Sequence, residues 1–577
     1  MTNEEISKIF DEIADMMEIE DDGKDTRRFE IRAYRRAAVN IGTLQEDVED
    51  LYAKGGTTAL LELPGIGKGL SESIVEFIKT GSIKKYVDLK KKYPVNFTEL
   101  TKLQGMGSRR IVFLYKNLGI KDMASLKKAL ESHAVSKLPG FGSKSEAMLL
   151  KSIEQYDSSA GRTLLGIALP EAERLKAELD ESGFAERVEI AGSIRRMRET
   201  VGDIDMLVIS EKPEKILDFI SGIKVVKRIV LKGKTKITVI LRTGISCDIR
   251  IVGKNSFGSA MQYFTGSKDH GVKLRQIAIK KGFKLSEYGM FSKNGGKLFG
   301  KTEKEIYNAL GLDYVEPEMR ENRGEIELAA KHSLPNLVRQ KDILGDLHTH
   351  TIASDGQASI EEMVAAAHGM KYKYIGISDH TKSEYVARGM DDAKFIRHLK
   401  RIDEVAKKYD SICVLKSAEI DILKDGTLDL KKSTIGLMDY TLASIHSYLN
   451  MSREDMTKRV IKAFDSGLVG IWAHPTDRLI GSRQPIPINL DKVFEAAKRN
   501  NVVMEINSFP TRLDLNDENI LRAREFGLKF VINTDSHSTT HLQLMRYGIG
   551  TARRGWLEKR DVINTMNYKS ALHALSR

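Results

Sequence analysis

Residues 341–577 carry the tightest constraint in the sequence. Short apolar runs (YIGIS, ICVLKSAEI, YTLASIH, LVGIWAH, VVMEIN and KFVINTDSH) alternate there with helical segments. The runs are rich in β-branched residues and bounded by polar ones, so they read as strands joined by helices. That alternation predicts a parallel, barrel-like α/β domain, distorted, with about seven βα units. One such domain cannot hold the whole chain. A length of 577 residues implies roughly three to five domains, because a single core stops growing well before that size.

Most of the 13 histidines lie in this last region. In Asp346-Leu347-His348-Thr349-His350 two imidazoles stand at i and i+2, on one face of a strand. Asp355, His380, Glu419, His446, His474, Asp535 and His537 follow, most at strand C-terminal ends, where barrel active sites form. Neutral imidazoles with carboxylates suit Zn²⁺, Mn²⁺ or Fe²⁺. Nine such groups exceed the needs of one ion, so a two- or three-metal centre is expected. His332, His368, His398, His541 and His573 fit no such pattern and read as structural or exposed. The two cysteines, Cys247 and Cys413, are far apart. A disulfide framework is excluded, and a reducing cytoplasm is the expected compartment. No run of eighteen apolar residues exists, and the acidic, amphipathic start of the chain is unlike a signal peptide.

A net charge of +12 favours a polyanionic partner through counterion release. Residues 1–155 read as helical, and one pattern recurs in them three times. It is Leu63-Pro-Gly65-Ile-Gly67-Lys68, then Leu103-Gln-Gly105-Met-Gly107-Ser108, then Leu138-Pro-Gly140-Phe-Gly142-Ser143. Glycines tolerate the tight turn and let a ligand approach the backbone, while the following helix opens with free N–H groups that suit a phosphate. Lys68, Arg109, Arg110 and Lys144 stand just behind and would grip a backbone without reading sequence. The three turns look like helix-hairpin-helix motifs, which makes DNA the expected partner.

From about 160 to 255 short strands appear: RVEIAGS, DIDMLVIS, KITVILR and SCDIRIV. Asp203 and Asp205 project from one strand face, with Ile204 and Met206 on the other. Paired carboxylates repel unless cations lie between them, as in a two-metal site. Asp248 could add a third ligand from a neighbouring strand. Gly192, Ser193 and nearby amides could hold the terminal phosphates of a triphosphate, and Arg196 could neutralise charge on a leaving group.

These motifs give the chain a recognisable likeness. Residues 1–318 resemble the family X DNA polymerases, to which DNA polymerase beta belongs. The likeness rests on AYRRAA at Ala33–Ala38, the first two hairpins, G-S-x-R-R, G-D-x-D, D-I-R around Asp248, and Tyr263-Phe264-Thr265-Gly266-Ser267. It implies that Asp203 and Asp205 bind both of two Mg²⁺ or Mn²⁺ ions, and that Asp248 binds the one activating the primer 3′-hydroxyl. It further implies that Tyr263, Phe264 and Gly266 line the nucleotide site, that Arg275 reaches the templating base-pair region, and that Arg250 steers Asp248. Two positions depart from the family. Gly271 stands where an Asn is frequent, which removes a contact to the incoming base. Ser73 stands where lyase-active members carry a Lys, and a serine cannot form their Schiff base. Lys68, Lys84 and Lys85 are the remaining candidates for that chemistry.

Residues 341–577 resemble the polymerase-and-histidinol-phosphatase (PHP) family. That likeness implies one metal on His348, His350, Glu419 and Asp535, a second on Glu419, His446 and His474, and a third on Asp355, His380 and His537, with Zn²⁺ or Mn²⁺ as the ions. Arg478 and Arg483 are candidates to hold DNA phosphates. The expected organisation is multidomain. An α-helical helix-hairpin-helix region spans 1–85 and 86–155, and an α+β nucleotidyltransferase palm spans 156–255. A nascent-base-pair subdomain follows at 256–318, a linker at 319–340 and a PHP barrel at 341–577. The expected activities are filling of short gaps in gapped or primed DNA from dNTPs, removal of 3′-terminal nucleotides, and cutting at abasic sites, by a monomer. Two other readings are a phosphatase acting on a small phosphomonoester and a DNA scaffold with a weak polymerase site.

Overall fold

The computed structural model describes residues 3–20, 25–44, 47–101, 103, 106–159, 161–292 and 296–575. They form two compact units. One comprises residues 1–162 with the loop 478–485, the other residues 163–477 and 486–577.

The first unit is built from helices in two apolar clusters. Asn3–Ile19, Asp25–Thr43, Val48–Leu61 and Lys68–Thr80 bury Phe10, Ile13, Tyr34, Ile41 and Ile74 between them. Ser108–Leu118, Met123–Glu131 and Ser143–Ser159 bury Ile111, Leu114, Leu126, Leu130 and Leu149. The apolar positions recur every three or four residues, so each helix can bury only one face.

The second unit opens with a five-stranded sheet of β1 (Arg187–Ile190), β2 (Asp203–Ile209), β3 (Val226–Lys232), β4 (Lys236–Leu241) and β5 (Ser246–Ile251), in the order β1-β2-β5-β4-β3. Only β2 and β5 run parallel, and that pairing sets Asp205 directly opposite Asp248. Ile204 and Met206 are fully buried, as the alternation along β2 requires. Helices Phe257–Thr265, Lys268–Lys280 and Glu303–Ala309 follow, with an antiparallel sheet of β6 (Phe283–Ser286), β7 (Gly289–Ser292) and β8 (Lys297–Phe299).

The stretch 319–340, expected as a linker, is packed. Met319, Ile326, Ala329 and Leu337 join Leu274, Tyr307 and Trp556 in one apolar cluster. Its charges hid this in sequence, because several are buried partners. Arg320 is fully buried and donates to Glu303 Oε1 at 2.6 Å and to the Val315 carbonyl at 2.9 Å. Glu303 also receives Arg195 NH2 at 2.6 Å.

The final region places strands on a ring. β9 (Gly345–Asp346), β10 (Tyr374–Ile377) and β11 (Cys413–Lys416) form one parallel sheet; β12 (Glu419–Asp421), β13 (Leu442–Ser444), β14 (Ile471–Trp472), β15 (Val503–Asn507) and β16 (Phe530–Asn533) form another. Parallel bridges His380–Glu419 and Thr349–Ser536 span the two gaps. β11 and β12 are halves of one bent strand, so the ring has seven strands. β10, β15 and β16 are buried along their whole length, as parallel strands covered on both faces must be. One apolar cluster takes Leu347, Tyr374, Leu415, Leu442, Ile471, Val503 and Val531, one residue from or beside each strand of the ring.

Burial pushes the Glu303 carboxyl up from its ordinary value of 4.5, but the Arg320 and Arg195 guanidiniums outweigh it and bring it down to about 2. A carboxyl depressed in the folded state stabilises fully above its ordinary value and loses that contribution as pH falls towards the depressed one. Glu303→Gln leaves the buried Arg320 and the half-buried Arg195 without their anion. It should destabilise the protein at pH 7 by about 3 kcal/mol in chemical denaturation, with the difference from the unsubstituted chain shrinking as the pH is lowered from 5 towards 2.

Candidate metal centres and nucleic-acid contacts

The barrel histidines and carboxylates converge on Glu419. This residue opens β12, is 1% exposed, and points one oxygen to each side. Its Oε2 lies 3.3 Å from His348 Nε2, 3.5 Å from His350 Nε2 and 3.2 Å from His380 Nδ1. Its Oε1 lies 3.3 Å from His446 Nε2 and 2.7 Å from His474 Nε2. Asp535 Oδ1 stands 3.1 Å from His350 Nε2 and 3.5 Å from His348 Nε2. Asp355 approaches His537 Nε2 at 3.3 Å and His380 Nε2 at 3.7 Å.

Three of the groups that bring potential ligand atoms within 4.8 Å of one another consist wholly of expected residues. They are His348, His350, Glu419 and Asp535; then His380, Glu419 and His446; then His350, Asp355, His380 and His537. The first matches the first expected ligand set. The second has His380 in place of His474, and the third gains His350.

Several atoms here are buried with no hydrogen-bond partner: His348 Nε2, both ring nitrogens of His350, His380 Nδ1, His474 Nδ1 and Glu419 Oε2. An orphaned buried lone pair is costly, and so many facing one another fit a set of cations. Burial, with His537 and His380 nearby, pushes His350 down to about 4, which leaves a neutral imidazole able to ligate. His474 (φ 27°) and Asp535 (φ 54°) adopt left-handed backbone, strain of the kind that functional sites hold in place.

A surrounding shell escaped the sequence reading. Glu505 accepts from His348 Nδ1 at 2.8 Å, from the His474 amide at 2.6 Å and from Asn533 Nδ2 at 2.9 Å. Asn507 donates to Asp535 Oδ2 at 3.1 Å. Asp379 accepts from the Thr351 amide at 2.7 Å and from Ser354 Oγ at 2.6 Å, with His398 Nε2 at 2.8 Å. Asp421 holds His446 Nδ1 at 3.2 Å, with Glu384 nearby. Arg512 donates to Asp477 Oδ1 at 2.8 Å and stands 3.9 Å from Asp535. Glu505 lies in the middle of β15 (VMEIN), without the strand-end position of the expected ligands, so no local pattern marked it. His398 and His541 are buried, as structural histidines should be.

In the palm, Asp203 and Asp205 share a face of β2, and Asp248 lies beside Asp205 on β5. Burial, then the charges of Asp203 and Asp248, push Asp205 up to about 7. Asp248 is held away from a shared cluster. Thr238 Oγ1 donates to it at 2.6 Å, Lys236 Nζ at 2.7 Å and Arg250 NH2 at 3.0 Å. Burial raises Asp248, but these partners outweigh it and its carboxyl titrates below the ordinary value. Gly192 (φ 62°) abuts Asp205; a Cβ there would stand 2.5 Å from Oδ2.

Ser193 follows Gly192 in the short helix Gly192–Arg195. Arg196 is only 13% exposed, with Nε on Glu321 at 3.1 Å and NH1 on the Thr265 carbonyl. Tyr263 and Phe264 meet edge to face at 5.0 Å, and Gly266 faces the Arg196 guanidinium. The Arg250 guanidinium covers the Phe264 ring and that of Arg275 the Tyr263 ring, at 4.4 and 5.8 Å. A Cβ at Gly271 would stand 3.4 Å from Arg275 NH1.

The three hairpins repeat one geometry. The amide between the glycines turns back to the leucine carbonyl: Ile66 to Leu63 at 3.1 Å, Met106 to Leu103 at 3.0 Å, Phe141 to Leu138 at 3.0 Å. Ile66, Met106 and Phe141 are buried, while Gly67, Gly107 and Gly142 are exposed, and a Cβ on any of these three glycines would meet nothing. Gly65 and Gly140 take positive φ. Gly105 and the Lys144 side chain lie outside the described residues. Lys68 and Arg109 are exposed behind the first two turns. Ser73 donates its hydroxyl to the Gly69 carbonyl at 3.0 Å. Arg478 and Arg483 lie in the loop 478–485, where Leu479 pairs with Arg483.

Helical hairpins, a carboxylate-bearing palm and a histidine-ringed barrel in one chain define a polymerase-type protein with an attached PHP domain. Family models agree: a helix-hairpin-helix domain matches residues 1–83, a SAM-like helix-hairpin-helix tandem 97–155, the DNA polymerase beta thumb 260–321, and a PHP domain 346–509. The "DNA polymerase/3'-5' exonuclease PolX" of Bacillus subtilis is 36% identical over 582 residues, covering 100% of both chains. The chain belongs to this PolX family. A Clostridium acetobutylicum protein named "Probable phosphatase" is 30% identical over 203 residues, 33% of this chain and 78% of its own length. A Leishmania infantum polymerase beta in a ternary primer/template complex is 22% identical, with a TM-score of 0.27, covering 39% of this chain and 97% of its own. Among the described residues no helix is long and apolar enough to cross a membrane.

Glu505 lies 2.8 Å from His348 Nδ1, so its loss would act on a bound metal through the orientation of that ring. Glu505→Gln should weaken divalent-ion binding by about 10- to 100-fold, measured by competition with a chromogenic chelator.

Proposed function

We propose that the chain is a DNA-directed DNA polymerase of family X with a 3′-5′ exonuclease in its PHP domain. One observation carries this reading: 36% identity along the full length to a protein named for both activities. The converging barrel ligands and the pairing of Asp205 opposite Asp248 support it.

In the palm, Asp203, Asp205 and Asp248 would hold two Mg²⁺ or Mn²⁺ ions. Such ions lower the pKa of an attacking hydroxyl and neutralise charge on the transferred phosphate. The residues do the rest. Asp248, paired with Lys236 and Arg250, would have to leave them to serve as a ligand. Gly192 leaves Asp205 room to turn inward, and Ser193 with the adjacent amides accepts the triphosphate. Tyr263, Phe264 and Gly266 wall the sugar and base, and Arg275 rests on Tyr263 towards the base pair. The bare amides and glycines of the hairpins grip DNA phosphates at Gly65, Gly67, Gly105, Gly107, Gly140 and Gly142, helped by Lys68, Arg109 and Lys144.

In the barrel, the nine expected ligands would hold two or three Zn²⁺ or Mn²⁺ ions. Glu419 would be a ligand through its carboxylate, Arg512 would face the DNA strand beside Asp535, and Arg478 and Arg483 would hold DNA phosphates. The substrates are gapped or primed DNA and dNTPs, and the chain acts as a monomer that fills short gaps in repair and cuts at abasic sites. Ser73 offers no Schiff-base lyase chemistry. A second reading, phosphomonoester hydrolysis by the same barrel, draws support from relatives named as phosphatases over a third of the chain.

On a labelled gapped duplex, Asp205→Ala should abolish extension and leave 3′-end degradation intact, while His350→Ala should do the reverse. A loss of at least about 10³-fold is expected for each. Degradation surviving His350→Ala sinks the nuclease assignment. Hydrolysis of small phosphomonoesters, with DNA untouched, favours the second reading.

A further inference from the structure

The helix Met545–Arg554 packs on the barrel, with Gly548 against Ser508 and Ile532. Its last turns reach the palm. Arg554, with a side chain 3% exposed, donates NH1 to the backbone carbonyl of Arg196 at 2.8 Å and to Glu321 Oε1 at 2.9 Å. Its NH2 reaches Asp517 Oδ2 at 2.6 Å, which Arg323 also holds at 3.0 Å. Glu321 in turn accepts from Arg196 Nε at 3.1 Å.

One turn earlier, Gly550 faces Met197. A Cβ at Gly550 would stand 2.5 Å from Met197 Cε and 2.9 Å from its Cβ. Met197 has φ 52°, a left-handed conformation that persists in a non-glycine residue only where its surroundings hold it. The barrel helix therefore meets two consecutive palm residues, one through hydrogen bonds and the other through close packing.

Those two residues close the turn that begins at Gly192 and Ser193. The Arg196 side chain continues to the Thr265 carbonyl beside Tyr263, Phe264 and Gly266. We propose that Arg554 is a positioning residue of the polymerase site: the nuclease domain's helix holds the turn Gly192–Met197 in the shape that binds the incoming nucleotide. The proposal rests on the polymerase reading above. Without Arg554 the Arg196 carbonyl loses its donor, and Glu321 keeps only Arg196 and Arg198. The turn then relaxes while every nucleotide-contacting side chain is still present.

The test is single-nucleotide insertion on a gapped duplex by the full chain, titrating dNTP. Arg554→Met should raise the nucleotide KM about tenfold while kcat stays within about twofold. Degradation of a single-stranded oligonucleotide by the same preparation should not change. Arg554→Lys, which keeps one donor, should recover part of the KM. Gly550→Ala, which leaves every charge in place, should raise it as Arg554→Met does. A wild-type KM in both Arg554→Met and Gly550→Ala overturns the proposal. So does a parallel fall of extension, degradation and thermal midpoint, which marks a contact that only stabilises the fold. Failure of the unsubstituted chain to extend a primer removes the polymerase reading instead.

Discussion

A buried carboxylate is stable only where countercharge or donors meet both of its oxygens. Glu419 is such a group, and the barrel is arranged around it. Its two oxygens face two sets of imidazoles, His348, His350 and His380 on one side and His446 and His474 on the other. Apart from His348 and His350, which follow one strand, those residues come from or follow separate strands, so they meet only because the ring closes. The bridge between His380 and Glu419 closes one gap of that ring beside the centre itself. Fold and site here share the same contacts.

The palm solves a related problem with fewer groups. Three aspartates crowd two adjacent strands, and the pressure falls on Asp205, pushed up to about 7 by burial and its neighbours. Asp248 is relieved by Lys236, Thr238 and Arg250. In the barrel the ligand carboxylates are surrounded mainly by imidazoles, with Arg512 3.9 Å from Asp535.

Between them runs a belt of buried ion pairs. Arg195, Glu303 and Arg320 join the palm to the subdomain after it, and Arg554, Glu321, Asp517 and Arg323 join both to the barrel. The stretch from Glu316 to Arg339 supplies several of these partners, which is why so charged a segment packs. Close contacts at Gly550 and Gly166, where a Cβ would strike Met197 and Pro510, add shape to charge.

Much of the candidate site was legible in the chain because its chemistry is local. H-x-H and D-x-D place two ligands on one strand face, and L-x-G-x-G writes a turn whose hydrogen bond spans three residues. Each follows from backbone period and turn sterics alone. Partners that lie far along the chain left no such trace. Glu505 meets His348 across 157 residues and Arg554 meets Glu321 across 233. Nothing in the sequence near either pair hints at the other member. Local spacing determined which residues could carry chemistry. Tertiary structure decided what orients them, since hydrogen bonds and burial act between neighbours in space, and only the closed fold makes these residues neighbours.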